Sequence, residues 1–217
     1  MTTALLTSTF FGPIQWYQKL YRYDRVLIEH HDSYQKQTYR NRCLIATQGG
    51  VQALTVPVSI GNGEQRTERT ERAERTDTSE SALLSDHGNW RHQHWQALQA
   101  AYGDSPFFIY YEDDLRPFFT DNRWATLYDY NDAICRKMCE LLDISPNMTP
   151  TDHFIRKDEL DGIDDFREVI QPKHPASDAQ FVAKSYYQVF ERKHGFLPNL
   201  SILDLLMNMG PESIFFL

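Results

Sequence analysis

The sequence lacks a long apolar run, a basic leader segment and paired cysteines. No stretch of 18 apolar residues occurs in the 217 residues, so no membrane-spanning helix is expected. The first residues have no basic group and only a short apolar run, which argues against a secretory leader. Three cysteines are an odd set, and disulfides are not expected. Together these absences predict a cytoplasmic protein.

The chain also lacks an excess of positive charge. It has 30 acidic and 22 basic residues, for a formal net charge of −8. Such a chain is poorly suited to the phosphate backbone of nucleic acids, and no basic stretch with interleaved aromatic residues occurs. We therefore expect a small-molecule ligand, a sugar or an anion, rather than a nucleic-acid partner.

Several catalytic motifs are absent too. There is no Gly-x-x-x-x-Gly-Lys or Gly-x-Gly-x-x-Gly loop for phosphates and no Gly-x-Ser-x-Gly elbow for a serine nucleophile. Neither His-Glu-x-x-His nor Cys-x-x-Cys occurs, so no metal site is predicted. The sequence identifies no cofactor.

The periodicities that are present indicate a mixed α/β fold. Residues 25–30 are apolar at their centre and predict a buried strand. Residues 43–47 and 51–58, joined by Gln-Gly-Gly, predict a β-hairpin. Helical spacing over 90–102 and 121–142 predicts two helices. We expect a small mixed sheet with a hairpin, flanked by helices, and a largely helical second half.

One segment interrupts this pattern. Residues 61–81 include a charged repeat with a period of three, and from Arg66 to Arg75 it contains no apolar residue larger than alanine. Such a segment cannot bury a face. We expect one domain over residues 1–217 with an exposed charged insert at 61–81.

The segment Ser85–Trp95 concentrates three of the eight histidines and two of the four tryptophans. If the helix begins after Asn89, His92 and His94 lie about 200° apart around its axis. His94 is then expected to face the core and His92 to face away from it. The three histidines could supply zinc ligands, but their helical spacing does not favour a shared metal.

His87 precedes this helix and is the preferred candidate for a general base. A neighbouring carboxylate, Asp86 or the strand-end Asp32, would orient its imidazole for proton transfer near neutral pH. The alternative is structural: Asp86 and Asn89 cap the helix and His87 fills the turn.

Before the hairpin, a basic and aromatic segment predicts an anion-binding site. Lys36, Arg40 and Arg42 flank Asn41, and guanidinium groups bind phosphate or carboxylate in a bidentate manner. Tyr34 is placed to stack on a sugar or another ring. The alternative is a solvated entry to the hairpin.

Cysteine chemistry remains ambiguous in one case. Cys43 follows two arginines, which favours a reactive thiolate, yet it opens an apolar strand, which favours burial. Cys135 and Cys139 fall on the apolar stripe of the predicted 121–142 helix. They are expected to be buried thiols.

Several segments along nearly the whole chain resemble the WbqC-like protein family, in the form typical of a Bacteroidetes branch. The matching segments in the first part of the chain are the aromatic-Pro start at 10–17, the pair Asp32 and Tyr34, and the two motifs around the hairpin at 39–42 and 54–58. Further along they are the His-Trp stretch at 85–95, the segment 105–108 and the tail at 203–212. The Gln-Pro that usually precedes the aromatic start is Ser8-Thr9 here.

The resemblance implies an enzyme of bacterial surface-polysaccharide (O-antigen or capsule, lipopolysaccharide) or nucleotide-sugar metabolism. The suggested reaction is acyl or aminoacyl transfer onto an amino sugar, which would make the protein a transferase. The alternative is a non-catalytic sugar- or anion-binding scaffold protein. The resemblance supplies no established catalytic residue.

Overall fold

The computed structural model describes residues 1–60, 82–173 and 175–217. The predicted charged insert at 61–81 lies outside the described residues. The mixed α/β class is confirmed. The strands are β1 (Thr3–Thr7), β2 (Arg25–Glu29), β3 (Arg42–Thr47), β4 (Gly50–Thr55), β5 (Val58–Ile60), β6 (Ala82–Leu84), β7 (Met148–Pro150) and β8 (Ile163–Asp165). The helices are α1 (Ile14–Arg22), α2 (Trp90–Tyr102), α3 (Phe108–Leu115), α4 (Pro117–Thr120), α5 (Leu127–Leu141), α6 (Glu191–His194) and α7 (Ile202–Met209).

The main sheet has four parallel strands in the order β7-β2-β1-β8. The chain places β2 and then β7 on one side of β1, and it later adds β8 on the other side. The order of addition therefore reverses between β1 and β8. The sequence predicted a mixed sheet formed early in the chain, whereas two strands of this parallel sheet come from the second half. Those strands have only three residues each, too few to show a period.

The predicted hairpin is present as β3 and β4, which pair antiparallel with Thr47 opposite Gly50. Gly50 has a φ of +106°, which an L side chain rarely adopts, and this explains glycine at the turn. A second antiparallel pair, β5 and β6, lies on either side of the insert. The hairpins form separate two-stranded sheets rather than extending the main sheet.

Two helices match their sequence patterns closely. α2 spans the predicted Trp90 to Tyr102. α5 begins at Leu127 rather than near residue 121, because Thr126 caps it by accepting a hydrogen bond from the Asp129 amide at 3.0 Å. The aromatic run 107–111 leads into α3 and forms its first part.

The C-terminal helix α7 is buried against the other elements, and even its acidic residue Asp204 is 1% exposed. Tyr102 and Tyr186 donate hydrogen bonds to the two Asp204 carboxylate oxygens at 2.9 and 2.6 Å. Gln188 adds a third bond at 3.0 Å. Burial raises the pKa of Asp204, while these donors compensate for part of its desolvation. Within the described parts of the chain, no helix is long and apolar enough to cross a membrane.

At the carboxyl end of β2, Glu29 joins the segments that follow three strands. Its Oε1 accepts hydrogen bonds from the His31 amide and from Thr151 Oγ1, at 2.9 and 2.8 Å. Its Oε2 accepts bonds from the Ile155 amide at 3.1 Å and from Arg167 Nη1 at 3.0 Å. The Glu29 side chain is fully buried. The carboxyl edge of the sheet therefore depends on one buried charge.

Replacing this carboxylate with an amide should destabilise the whole fold. In Glu29→Gln, one side-chain oxygen becomes a donor that faces other donors, and Arg167 retains only the less buried Asp165 as a counter-charge. We expect the free energy of unfolding in urea to fall by about 3 kcal/mol. Glu140→Gln is the matched control, because Glu140 pairs with Lys137 at the surface, and such pairs contribute about 0–1 kcal/mol. Equal unfolding midpoints for the Glu29→Gln variant and wild type would contradict this account.

Candidate functional site

In open parallel sheets, ligands bind outside the carboxyl ends of the strands, near the point where the strand order reverses. Here part of that region is filled by the chain itself. The amide of Ile14, the first residue of α1, donates to the Leu200 carbonyl at 3.0 Å, and the Gln15 amide donates to Asn199 Oδ1 at 2.9 Å. The amino end of α1 is therefore occupied and is not available for a phosphate, in agreement with the lack of a Gly-rich loop.

The next part of the edge contains two of the predicted site residues, joined as a buried ion pair. Nε and Nη2 of Arg40 both donate to Oδ2 of Asp32, with Nε at 2.9 Å. Each of the two residues is 5% exposed. Asp32 was predicted to orient a histidine and Arg40 to bind substrate. In the structure they bind each other, so Arg40 acts on a ligand only with its charge largely offset.

Tyr34 and Arg42 each lie two residues along the chain from a member of this ion pair. Burial raises the pKa of Tyr34, and the positive charges of Arg40 and Arg42 oppose that shift. Nε of Arg42 donates to Thr55 Oγ1 at 3.1 Å, so β4 orients a half-buried guanidinium. Lys36 is exposed in the preceding loop.

Asn41, predicted to bind substrate, makes contacts within the fold. It is buried, and its Nδ2 donates to the Val56 carbonyl at 3.0 Å, while its backbone carbonyl accepts from the Val56 amide at 2.8 Å. Asn41 thus connects the start of β3 to the segment after β4. Its Oδ1 is buried without a hydrogen-bond partner in the described structure.

Two half-buried histidines complete this region, and neither was assigned a role from sequence. His30 stacks on Tyr128 with ring centroids 3.8 Å apart. Nε2 of His31 lies 3.2 Å from the Thr151 carbonyl. Their position directly after a buried strand was the available signal. We call His30, His31, Asp32, Tyr34, Arg40 and Arg42 the edge site.

His87 and Asp86 occupy another part of the molecule. Asp86 pairs with Arg91, and Asp32 pairs with Arg40. Both carboxylates that were predicted to orient His87 therefore bind guanidinium groups instead. His87 is exposed, and its backbone amide donates to Ser85 Oγ at 3.3 Å. Asn89 stands at the predicted start of α2, but it has a left-handed conformation and its side chain makes no capping bond.

The prediction that His94 faces the core and His92 faces away from it is confirmed. His94 is 7% exposed and packs against Trp90 and Phe10, with ring centroids 5.2 and 6.0 Å apart. Burial lowers its pKa to about 4. His92 is exposed. Among the described residues, no group of three His, Cys, Asp or Glu side chains is arranged to hold a metal ion.

The cysteines are buried thiols. Burial raises the pKa of Cys43 well above its usual value, which removes the basis for a reactive thiolate despite the nearby arginines. Cys135 and Cys139 are also buried, as predicted.

A groove between α2 and α4 lies beside the His-Trp stretch. Its volume is about 680 Å³, within the range of small-molecule sites. We call it the α2–α4 groove, and it is lined by Asp86, Asn89, Trp90, Arg91, His92, Trp95, Gln99, Arg116, Phe119, Thr120 and Asn122. Asp86 is thus the one predicted site residue that lines it.

Comparison with known proteins gives a family but no activity. The model of the WbqC-like protein family matches residues 8–174. A Mycobacterium tuberculosis (strain ATCC 25618 / H37Rv) protein named "Uncharacterized protein Rv1507c" is 24% identical over 233 residues, covering 97% of this chain and 94% of that protein. No solved structure gives a significant match.

The pKa of His94 predicts a pH dependence of stability. An unfolded histidine titrates near pH 6.5, whereas folded His94 titrates near pH 4, so the unfolded chain binds more protons between these values. Neutral His94 therefore makes its full contribution to the free energy of unfolding above about pH 6.5. That contribution, about 3 kcal/mol, is lost as the pH falls towards 4. Urea unfolding of wild type between pH 7 and pH 4.5 measures this loss.

Two variants isolate the contribution of His94. His94→Gln removes the titrating group, so its stability should fall less between pH 7 and pH 4.5 than that of wild type. His87→Gln removes an exposed histidine from the same stretch and should retain the wild-type slope. If His94→Gln and wild type show the same slope, the assignment to His94 is wrong.

Proposed function

The chain belongs to the WbqC-like protein family, and on this premise we propose that it is a cytoplasmic transferase of bacterial surface-polysaccharide or nucleotide-sugar metabolism. Its reaction would be acyl transfer to the amine of an anionic amino sugar, and the edge site would bind that sugar. The observation that carries the proposal is the position of Asp32, which follows β2 at the carboxyl edge of a parallel sheet, where such folds bind ligands. Its ion pair with Arg40 joins the segment that leads to Arg42 to this edge.

Arg42 is the proposed anion-binding residue. Arg40 is neutralised by Asp32, whereas within the described residues the Arg42 side chain makes no ion pair and donates to the neutral hydroxyl of Thr55. A guanidinium group that is oriented but not neutralised is suited to a carboxylate or phosphate. Tyr34, half-buried beside it, offers a ring face to the sugar.

His31 is the proposed general base, in place of His87. The contact of its Nε2 with the Thr151 carbonyl at 3.2 Å orients the imidazole ring at the carboxyl edge of the sheet. As the sugar nitrogen bonds to the acyl carbonyl carbon, the bond from that carbon to its leaving group breaks. The proton on the nitrogen passes to His31 and then to the leaving group.

The proposal is tested with acetyl coenzyme A as donor and glucosamine 6-phosphate as acceptor. We expect thiol release that depends on both compounds, measured with a thiol-reactive dye. His31→Gln should lower the turnover number by about 10² to 10⁴ without abolishing sugar binding. Arg42→Gln should weaken glucosamine 6-phosphate binding by roughly tenfold or more, measured by calorimetry.

Two controls make the outcomes distinct. His87→Gln should leave turnover unchanged, because the Asp32 and Asp86 carboxylates are engaged by arginines. Lys36→Gln removes an exposed charge from the same segment and should have a smaller effect on binding than Arg42→Gln. Binding without thiol release in wild type would favour the scaffold alternative. Loss of turnover in His87→Gln but not in His31→Gln would overturn the assignment of the base.

A further inference from the structure

We propose that the α2–α4 groove is a second ligand site, which binds a phosphorylated sugar. This inference goes beyond the proposed transferase reaction, because the groove lining and the edge site have no residue in common. It rests on the charge, the hydrogen-bonding groups and the size of the groove.

The groove is positive in an acidic protein. Its lining has two arginines and one aspartate, whereas the chain as a whole has a net charge of −8. Asp86 is already paired with Arg91. The guanidinium of Arg116 makes no ion pair within the described residues, and Arg116 is exposed. Arg116 is therefore a cation available to a ligand.

Arg91 is held rigidly in the groove wall. Its guanidinium stacks on the Trp90 ring, 4.4 Å from the ring centroid, and one of its nitrogens binds Asp86. Its Nε is buried and lacks a hydrogen-bond partner in the described structure. A buried donor without a partner is costly. Arg91 also lies at the amino end of α2, where the helix dipole favours an anion.

The remaining lining suits a sugar attached to the anion. Asn89, Gln99 and Asn122 provide amide groups that donate to and accept from hydroxyl groups. Trp95 and Phe119, with ring centroids 5.7 Å apart, form an apolar part of the wall. A volume of about 680 Å³ accommodates a sugar phosphate more closely than a free phosphate ion.

The test is calorimetric titration of the full chain with glucose 1-phosphate, inorganic phosphate and glucose. We expect glucose 1-phosphate to bind more tightly than either of the other two. Arg116→Gln should weaken its binding by roughly tenfold to a hundredfold, as expected for the loss of a charged hydrogen bond. Circular dichroism should show that the exposed substitution leaves the fold intact.

Arg123→Gln is the matched control. Arg123 lies seven residues further on, is exposed, and pairs with Asp121 outside the groove lining. It should leave the affinity for glucose 1-phosphate unchanged. Equal weakening by Arg116→Gln and Arg123→Gln would show that only the overall charge matters, and it would overturn the proposal. The proposal would also be overturned if Arg116→Gln had no effect, or if inorganic phosphate and glucose 1-phosphate bound with equal affinity.

Discussion

The buried carboxylate of Glu29 is the interaction on which the carboxyl edge of the sheet depends. Four donors from the segments that follow β2, β7 and β8 converge on it, and Arg167 supplies the compensating charge at 3.0 Å. Arg167 in turn donates to both oxygens of Asp165 at the end of β8. A buried ion is tolerated only when its hydrogen bonds are satisfied, and this network satisfies them while fixing three loops in one arrangement.

The edge site is built on that arrangement. His31 and Asp32 follow Glu29 directly, so the bonds that fix Glu29 also set the direction in which the chain leaves β2. The ion pair between Asp32 and Arg40 then folds the segment after β2 back towards the hairpin. The hydrogen bonds of Asn41 with Val56 continue this connection to the chain beyond β4. Arg42 is thus placed by polar contacts on either side of it, which is the condition for selective binding of a small anion.

The sequence predicted the elements whose patterns are local, and it could not predict the pairing between distant segments. α2 spans its predicted 90–102, because Trp90, His94 and Leu98 repeat with the helical period. The parallel neighbours of β2 have no such signal, since β7 and β8 have three residues each and are defined by their partners. For the site, clustering of histidines drew attention to His87. The determining fact is the ion pair of Asp32 with Arg40, across an irregular segment whose sequence has no helical or strand period to predict it.

The central claim is that an anionic amino sugar binds at the carboxyl edge of the parallel sheet. The most direct test is backbone-amide NMR shift mapping with glucosamine 6-phosphate on an Arg116→Gln variant, in which the α2–α4 groove is weakened as a competing site. The account predicts that the largest shift changes fall within residues 30–42 and 151–155, on the segments that Glu29 and Asp32 hold together. If binding is saturable but the amide shifts of residues 30–42 do not change, the account is contradicted.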